Sequence, residues 1–460
     1  MKSTNHRDWL CSHYIRSVRQ SLFLFLFPSL ISPVYAQQST DTPLNRYARA
    51  VVDTLCSSSM HGRGYVNRGD KIAAQYLEDQ FRADGLTPFG TGFRQQFSLN
   101  VNTFPGRMMF KYSSEKKPQT PGRDFLVDPV CHAVKGTFKL VYADSTTIKN
   151  EGDLVKIRNK RYKNRMLFVD TIGVRNAETR KRIVSLLLEP PQGVNGIIVR
   201  QRWSRGPGQD TPGPWDVAQA QAGIPVIYSR TSNETPKARK ITVDIEAQQL
   251  YGYSTQNMLG YVKGSVFPDS FIVFTAHYDH LGQMGADAWF PGANDNASGC
   301  AMLLNLMKYF TSPDHHPKCS VAFIAFSGEE AGLLGSKFYT EHPLFPLKQI
   351  RFLVNMDIMG TGDEGITVVN ATLFPDQFRI LQQVNEKGQF LPDVKMRGKA
   401  SNSDHYWFSE KGVNAFFIYT RGGIKAYHDI DDKPSTLPLS KFKDVYNLLI
   451  SFESFMENWK

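Results

Sequence analysis

The sequence predicts an α/β fold: a three-layer arrangement in which a mixed, largely parallel sheet has helices on both faces, joined to a β-rich insert. From residue 257 onwards, short apolar segments typical of buried strands alternate with segments of helical periodicity. This alternation is typical of a parallel sheet that is covered on both sides. Between residues 118 and 245, short β-rich segments dominate instead. A chain of 460 residues is also too long for one ordinary core, so we expect two domains.

The first predicted elements are two helices and a strand. Residues 44–55 and 69–85 carry apolar side chains at helical spacing, and Gly85 is a typical helix end. Residues 93–101 alternate between polar and apolar side chains, which predicts a strand with one buried face.

The insert is predicted from five β-rich segments at residues 138–142, 166–169, 196–199, 224–228 and 241–245. A helical pattern at residues 177–188 separates two of them, and clustered Pro and Gly predict a loop at residues 205–215. Residues 156–165 are dense in Lys and Arg. We interpret them as a solvated loop, because no nucleic-acid-binding motif accompanies them, and we expect no nucleic-acid partner.

The second half supplies the central sheet and its helices. Strands are expected at residues 271–275, 321–326, 351–355, 365–369 and 415–419, and helices at residues 298–310, from residue 332, at 376–385 and at 439–459. In such sheets, ligands bind beyond the carboxyl ends of the strands. The residues that follow each strand are therefore candidates for a functional site.

The N-terminus has the layout of a secretory signal peptide, residues 1–36. A basic start is followed by an apolar run at residues 22–31 and by Ala36, and the run is too short to span a bilayer. The long basic start keeps a membrane anchor as the alternative. No later segment is apolar enough to cross a membrane. We expect a secreted or periplasmic protein, without stable membrane insertion once the signal peptide is cleaved.

Composition and cysteine content set further limits. The chain is 41% hydrophobic and 21% charged, with a formal net charge of +11, and the first two values are those of an ordinary globular protein. The cysteines beyond the signal peptide lack zinc-finger spacing. Cys300 and Cys319 flank one predicted helix; they could form a disulfide in an oxidising compartment, but buried free thiols are an equal alternative.

Metal-type side chains follow three of the predicted strands. His277 and Asp279 come after the first strand of the second half, Glu329 and Glu330 after the second, and Asp357 after the third. Ionised groups directly after buried apolar strands need partners, and a metal ion supplies them.

Two further candidates lie in loops. Asp295 is in the turn-rich stretch 291–299, and His428 follows the fifth strand. Carboxylates mixed with two imidazoles suit a pair of divalent cations, and a spare carboxylate beside them suits proton transfer. The pattern therefore predicts a metal-dependent hydrolase.

Six short motifs around these residues resemble those of one family. They are residues 275–282 (TAHYDHLG), 292–299 (GANDNASG), 327–336 (SGEEAGLLGS), 355–357 (NMD), 403–405 (SDH) and 427–428 (YH). On these motifs the chain resembles the co-catalytic two-zinc aminopeptidase family, whose relatives include the glutamate carboxypeptidases, the transferrin receptor ectodomain and the glutaminyl cyclases. The insert resembles a protease-associated domain through residues 196–199 and 223–227.

The resemblance implies a division of the chain into domains. Residues 1–36 would be the signal peptide, residues 37–117 and 249–460 would form a two-zinc peptidase domain, and residues 118–248 would form a protease-associated-like insert domain.

The resemblance also implies the ligands of two Zn²⁺ ions. His277 and Asp357 would hold one ion, Glu330 and His428 would hold the other, and Asp295 would bridge both.

Two further roles follow from the same resemblance. Glu329 would be the general base, and Asp279 would orient His277 by accepting its other ring proton. The implied activity is that of a secreted zinc exopeptidase, an aminopeptidase that hydrolyses N-terminal residues of peptide substrates through a metal-bridging hydroxide.

Three alternatives stay open. A glutaminyl cyclase-like zinc acyltransferase would use a similar set of ligands. A glutamate carboxypeptidase-like enzyme would need arginines for a terminal carboxylate, and Arg397 and Arg421 are available. A non-catalytic binding protein would keep the fold alone. The preferred N-terminal residue and the oligomeric state are also open.

Four residues near the motifs have two interpretations each. His280 is expected to pack or to support the site and not to be a further ligand, and His405 is expected either to touch substrate or to support the site. Tyr419 and Tyr427 could donate to an oxyanion or could be stacked core residues.

Overall fold

The computed structural model describes three stretches of the chain, residues 42–201, 215–230 and 238–458. The predicted signal peptide at residues 1–36 lies outside the described residues, and so does nearly all of the predicted loop at 205–215. Both stay predictions.

The described residues form nine α-helices. They are α1 (Pro43–Leu55), α2 (Gly69–Ala83), α3 (Glu151–Asn159), α4 (Ala177–Leu188), α5 (Ser298–Thr311), α6 (Leu334–Glu341), α7 (Pro375–Gly388), α8 (His405–Glu410) and α9 (Phe442–Met456). The start of α1 shows why the chain turns helical there. Thr42 Oγ1 accepts a hydrogen bond from Asn45 N at 3.2 Å, and Pro43 occupies the first helical position, where no amide hydrogen is needed.

The strands in the described residues number eighteen. They are β1 (Thr87–Pro88), β2 (Arg94–Thr103), β3 (Met108–Tyr112), β4 (Phe125–Val127), β5 (Val134–Ala143), β6 (Arg165–Asp170), β7 (Ile197–Gln201), β8 (Val226–Arg230), β9 (Lys240–Ile245), β10 (Gln248–Val262), β11 (Phe267–His277), β12 (Gln283–Met284), β13 (Ala288–Trp289), β14 (Cys319–Phe326), β15 (Ile350–Met356), β16 (Ile366–Val369), β17 (Val394–Met396) and β18 (Ala415–Thr420).

The chain divides into two units, and the larger one is built on a nine-stranded sheet. This unit comprises Thr40–Pro105, Asp216–Gln221 and Gln248–Lys460. Its strand order is β1-β10-β14-β11-β15-β18-β16-β17, with β2 also paired to β10. The neighbours β14, β11, β15 and β18 run parallel, whereas β10 and β16 join them antiparallel. The sheet is therefore mixed with a parallel centre, which confirms the predicted fold class.

Helices cover both faces of this sheet. Successive side chains of a strand point to opposite faces. Ile272 and Phe274 of β11 belong to the apolar cluster that includes side chains of α1, α2, α5, α7 and α9. Val273 between them belongs to another cluster, which contains Tyr339 of α6 and Phe408 of α8. Because both faces are covered, every residue of β14 is buried and the strand is almost continuously apolar.

The smaller unit comprises Gly106–Trp215 and Ala222–Ala247. Its seven strands follow the order β3-β9-β5-β6-β7-β8-β4, and β5, β6, β7 and β8 are parallel neighbours. Leu154 of α3 and Ile183 of α4 pack with strand side chains in one apolar cluster. The likeness of this unit to a protease-associated domain stays a prediction. Residues 216–221, which the sequence analysis placed in the insert, group with the larger unit.

Strand β10 and helix α3 are among the elements that differ from the sequence-based expectation. Strand β10 begins at Gln248, ahead of the α/β pattern expected from residue 257. Its first half is largely exposed and pairs with β2, so it lacks the apolar run that would indicate a buried strand. Helix α3 ends at Asn159, so the basic stretch 156–165, predicted as a loop, begins inside a helix. Only Leu154 of this helix is buried, and one buried side chain gives no visible periodicity.

Two further features of the described residues are the state of the cysteines and the length and polarity of the helices. Cys56, Cys131, Cys300 and Cys319 are buried free thiols, so Cys300 and Cys319 are not bonded to each other. Within the described stretches, every helix is too short or too polar to traverse a lipid bilayer.

Candidate metal centre

Three parallel strands end at the same edge of the central sheet. His277 ends β11 and is in register with Phe326 at the end of β14, and β15 ends beside β11 at Met356. The predicted site residues that follow these ends are Asp279, Glu329, Glu330 and Asp357. Parallel register thus brings together side chains that are far apart in the sequence, as the pattern predicted.

The imidazole of His277 faces two carboxylates. Nε2 lies 3.2 Å from Asp295 Oδ1 and 3.4 Å from Asp357 Oδ1. Burial alone would lower the pKa of His277, but the carboxylates of Glu329 and Asp357 raise it well above its ordinary value. His277 therefore presents its nitrogen to a buried acidic cluster.

His428 contacts a second pair of carboxylates. Its Nε2 lies 3.1 Å from Asp295 Oδ2 and 3.1 Å from Glu330 Oε2. His428 has a φ of 49°, in the left-handed region that few residues other than glycine adopt. Asp295 thus contacts His277 through one carboxylate oxygen and His428 through the other, which is the arrangement expected of a bridging ligand.

The donor set fits divalent metal ions. Ligand atoms of His277, Asp295 and Glu330 lie within 4.8 Å of one another, and so do those of His277, Glu329 and Asp357. Asp357 Oδ1 is buried and has no hydrogen-bond partner among the described residues, which a bound cation would correct. Imidazole nitrogens and carboxylate oxygens are ligands that zinc takes in proteins.

The charge states of the two central carboxylates fit the same interpretation. Burial would raise the pKa of Glu330, but the nearby His428 lowers it to about 2. Burial would also raise the pKa of Asp295, but hydrogen bonds from His277 and His428 hold it well below its ordinary value. Both acids are therefore ionised at neutral pH, as metal ligands must be.

Glu329 is the spare carboxylate beside these ligands. Its backbone is fixed by a turn in which Glu329 O accepts hydrogen bonds from Gly332 N at 2.9 Å and Leu333 N at 2.8 Å. Burial raises the pKa of Glu329 well above its ordinary value, with His277 acting in the opposite direction. A partly buried carboxylate at this position is suited to proton transfer.

Asp279 supports the site in a different way from the one expected. His277 Nδ1 donates to the backbone carbonyl of Asp279 at 3.1 Å, whereas the Asp279 carboxylate is 3.8 Å away. The carboxylate instead accepts from Glu329 N and from Tyr65 OH, both at 3.3 Å. Asp279 lies two residues after His277, and its backbone carbonyl is nearer to His277 Nδ1 than its carboxylate is. Burial raises the pKa of Asp279 to about 7, and His277 opposes this.

Two residues that the sequence analysis missed fix the backbone around Asp295. Asp432 accepts from Asn294 N at 2.9 Å and from Asp295 N at 3.0 Å. Arg63 is fully buried and donates to the carbonyls of Gly292 at 2.9 Å and Asp295 at 3.3 Å. Asp432 lies in the same loop as His428 and could have been singled out there. Nothing in the sequence around Arg63 indicates its contacts.

Side chains next to the ligands support them. His280 Nδ1 lies 2.6 Å from Glu330 Oε1, and burial lowers the pKa of His280, so a neutral imidazole donates to this carboxylate. This contact favours the supporting interpretation of His280. The ring of Tyr427 stacks on His428, with centroids 4.0 Å apart, and about half of the tyrosine remains exposed.

Two further acids lie near the cluster. Asp404, inside the motif at 403–405, is fully buried, and burial raises its pKa to about 7. Asp216 offers a carboxylate oxygen within 4.8 Å of ligand atoms of Glu330 and His428. Burial raises the pKa of Asp216 to about 6, and His428 opposes this. Asp216 follows the Pro- and Gly-rich stretch, where no sequence pattern singles it out.

The comparison with known families agrees with this geometry. Residues 257–452 match the model of peptidase family M28. The chain is 29% identical over 206 residues to the aminopeptidase YwaD of Bacillus subtilis, covering 43% of each protein. It is 35% identical over 113 residues to a "probable zinc metalloprotease" of Pyricularia oryzae, covering 24% of this chain and 22% of that protein. The matches thus span less than half the length of these relatives.

Solved structures show the same fold. The zinc aminopeptidase BSAP from Bacillus subtilis superposes with a TM-score of 0.63 at 19% identity, covering 89% of this chain and 94% of that one. A peptidase M28 precursor from Shewanella amazonensis gives a TM-score of 0.60 at 17% identity, covering 91% and 96%. At these identities the likeness concerns the fold.

The matched region contains every predicted ligand, the spare carboxylate Glu329 and Asp279. Residues 257–452 are thus similar to peptidase family M28, and this match agrees with the resemblance of the sequence motifs to the co-catalytic zinc aminopeptidases.

Proposed function

We propose that this protein is a zinc-dependent aminopeptidase that removes N-terminal residues from peptides. Two zinc ions would be held by His277, Asp295, Glu330, Asp357 and His428. The observation that carries the proposal is the position of Asp295, whose two carboxylate oxygens lie 3.2 and 3.1 Å from the two imidazoles. The names of the relatives, an aminopeptidase and a zinc metalloprotease, support the same activity.

The residues divide the chemistry among them. Zinc bound at these ligands would polarise the scissile carbonyl, lower the pKa of the attacking water and favour the ionised form of the neighbouring carboxylates. Glu329 takes a proton from that water and returns it to the leaving nitrogen. Its side chain adjoins the cluster without being needed as a ligand, because the other five residues complete the set.

Asp279 acts through its neighbours. Its carbonyl accepts the Nδ1 proton of His277 and leaves Nε2 free for a metal. Its carboxylate holds the backbone of Glu329. In this proposal Asp279 therefore aligns a ligand and the base together, and it moves no proton itself.

The contacts of two arginines bear on the carboxypeptidase alternative. Arg421 pairs with Asp393, and Arg397 Nη1 donates to Tyr419 OH at 3.2 Å. Both guanidinium groups thus already have partners, and neither is set aside for the terminal carboxylate of a peptide. This favours the aminopeptidase.

Two parts of the proposal concern the rest of the chain. Residues 1–36 are proposed to be a signal peptide, so the exported protein would begin at Gln37, and N-terminal sequencing of protein secreted or released from the periplasm tests this. Residues 118–248, apart from the segment 216–221 that groups with the larger unit, are proposed to be a protease-associated-like insert.

The central test is metal-dependent hydrolysis by the full chain. The protein is assayed on a panel of aminoacyl-p-nitroanilides, then after removal of metal with 1,10-phenanthroline, and again after zinc is added back. We expect activity, its loss, its recovery, and two equivalents of zinc per chain by elemental analysis. No hydrolysis of any panel member by the zinc-loaded protein would contradict the proposal. A peptide that begins with Gln separates the cyclase alternative, since cyclisation without release of a residue would favour it.

A further inference from the structure

The segment 216–221 lies between two strands of the smaller unit in the sequence but is fixed to the larger unit. Asn102 N donates to Ala218 O at 2.8 Å, and Gln219 Nε2 donates to Ala331 O at 2.8 Å. Val217 packs against an apolar cluster of β2 side chains. The contact with Ala331 places the segment next to the residue that follows Glu330.

The far end of the segment is held as well. Gln221 N donates to Gln249 Oε1 at 2.9 Å, and Gln221 Nε2 donates to Asn102 Oδ1 at 3.0 Å. The segment therefore bonds to β2, to β10 and to the turn after β14. Its first residue, Asp216, is consequently held at a defined place beside the metal-type residues.

Asp216 differs from the proposed ligands in its exposure. Glu330 and His428 are each 6% exposed and Asp295 is 4% exposed, whereas Asp216 is only partly buried. Asp216 Oδ1 accepts a hydrogen bond from Val217 N at 2.8 Å. Within the described part of the chain, Oδ2 has no hydrogen-bond donor. The carboxylate thus adjoins the cluster and keeps one oxygen for a further partner.

We propose that Asp216 binds the free α-ammonium group of the substrate and so makes the enzyme specific for N-terminal residues. This inference rests on the proposed aminopeptidase function. The amino nitrogen of an N-terminal residue is separated from the scissile carbonyl carbon by the α-carbon alone, so its binding group must lie within a few ångströms of the metal ligands. A carboxylate within 4.8 Å of Glu330 and His428 meets this requirement.

The chemistry favours an ammonium over a metal ion as the partner of Asp216. The proposed ligands Glu330, His428 and Asp295 already give one zinc ion three protein donors, and a catalytic zinc site keeps its next position for water or substrate. A carboxylate and an ammonium form a charge-assisted hydrogen bond. An internal peptide nitrogen carries no charge and would leave Asp216 unpaired, which discriminates against endopeptidase substrates.

The test compares two inhibitors that differ only in the amino group. Leucine hydroxamate and 4-methylpentanoyl hydroxamate share the metal-binding group and the side chain, but only the first carries an α-ammonium. Their Kd values are measured by calorimetry on the zinc-loaded full chain and on the Asp216→Asn variant. We expect Asp216→Asn to weaken leucine hydroxamate by about 10-fold or more and to change the other inhibitor by less than about 2-fold. KM for aminoacyl-p-nitroanilides should rise more than kcat falls.

The control is Asp269→Asn, which removes the same charge from an exposed position near the start of β11, at the opposite end of the strand from His277. It should leave both Kd values unchanged. A loss of one zinc equivalent in Asp216→Asn would overturn the inference and make Asp216 a metal ligand. Wild-type protein that does not prefer leucine hydroxamate would overturn it too. Calorimetry measures binding and needs no turnover. A protein without hydrolytic activity would therefore refute the proposed function without deciding the result of the binding measurement.

Discussion

The two units bury acidic groups in different ways. In the smaller unit, Arg200 Nη1 lies 2.8 Å from Asp170 Oδ2, and each side chain is 6% exposed. This contact joins a permanent cation to an anion. In the larger unit, the basic groups that contact Asp295 and Asp357 are imidazoles, which are cationic only when protonated.

The difference separates a structural ion pair from a site that needs an outside cation. A buried pair with a permanent cation such as arginine is complete by itself. A cluster that joins several carboxylates to imidazoles is complete only with added positive charge, and metal ions supply it. Substitutions in the two units test this difference.

The first prediction concerns Glu329, the proposed general base. Replacing Glu329 with Gln should lower kcat by about 10²- to 10⁴-fold, because the amide cannot accept the proton of water. The zinc content should not change, since Glu329 is not a proposed ligand. Steady-state kinetics and elemental analysis measure both. Glu341→Gln, at an exposed position at the end of α6, is the matched control. An active Glu329→Gln variant would refute the role of Glu329 as base.

The second prediction concerns the pair in the smaller unit. Asp170→Asn should lower the free energy of unfolding by about 3 kcal/mol, because the buried Arg200 would lose the negative charge of Asp170. Denaturant unfolding measures the loss, which should be the same with and without zinc. The double variant Asp170→Leu with Arg200→Met should recover most of the stability, since neither buried charge remains. A single variant as stable as the wild type would show that this pair is no structural unit.

The third prediction expects the opposite change in the free energy of unfolding when an acid of the larger unit is replaced. In the described part of the chain, Asp357 Oδ1 is buried without a hydrogen-bond partner, while Ser403 Oγ donates to Oδ2 at 3.1 Å. Asp357→Asn should raise the free energy of unfolding of the metal-free protein by about 1–2 kcal/mol, because it removes a buried charge. It should also lower the zinc content. Unfolding in EDTA and elemental analysis test both, with Asp269→Asn as control. If the metal-free Asp357→Asn variant were less stable than the metal-free wild type, Asp357 and Asp170 would not differ in the way proposed.

The fourth prediction uses a buried acid of the larger unit that lies outside the metal cluster. Burial, reinforced by Glu457, raises the pKa of Glu453 to about 9. The unfolded chain gives up this proton near its ordinary pKa of 4.5, whereas the folded protein keeps it up to about pH 9. The free energy of unfolding therefore falls as pH rises between these values.

Glu453→Gln removes this dependence. The variant should be more stable than the wild type by about 2 kcal/mol at pH 8 and nearly equal to it at pH 5. Denaturant unfolding at both pH values measures the difference. Glu386→Gln, at an exposed position on α7, should show no such dependence on pH. Equal stability differences at pH 5 and pH 8 would show that Glu453 is ionised in the folded state.

The sequence anticipated the central sheet and the metal-type residues at its edge because both leave local patterns. The buried strands β11, β14 and β15 are nearly continuous apolar runs, and the metal-type residues stand directly after them. The first half of strand β10 was not predicted, because it is exposed and carries polar side chains. A pattern of burial therefore predicts an element only where the burial is continuous or periodic.

The sequence by itself determined the α/β class, the edge of the sheet at which the site lies and the residue types gathered there. Tertiary structure decided which atoms meet. It placed the carbonyl of Asp279, and not its carboxylate, on His277, and it brought Arg63 and Asp432 to the backbone of Asp295. It also placed Asp216 next to Glu330 and His428. The reason is that residue types and periodicity encode burial along one strand or helix, whereas distances between side chains depend on the paths of loops that no local pattern specifies.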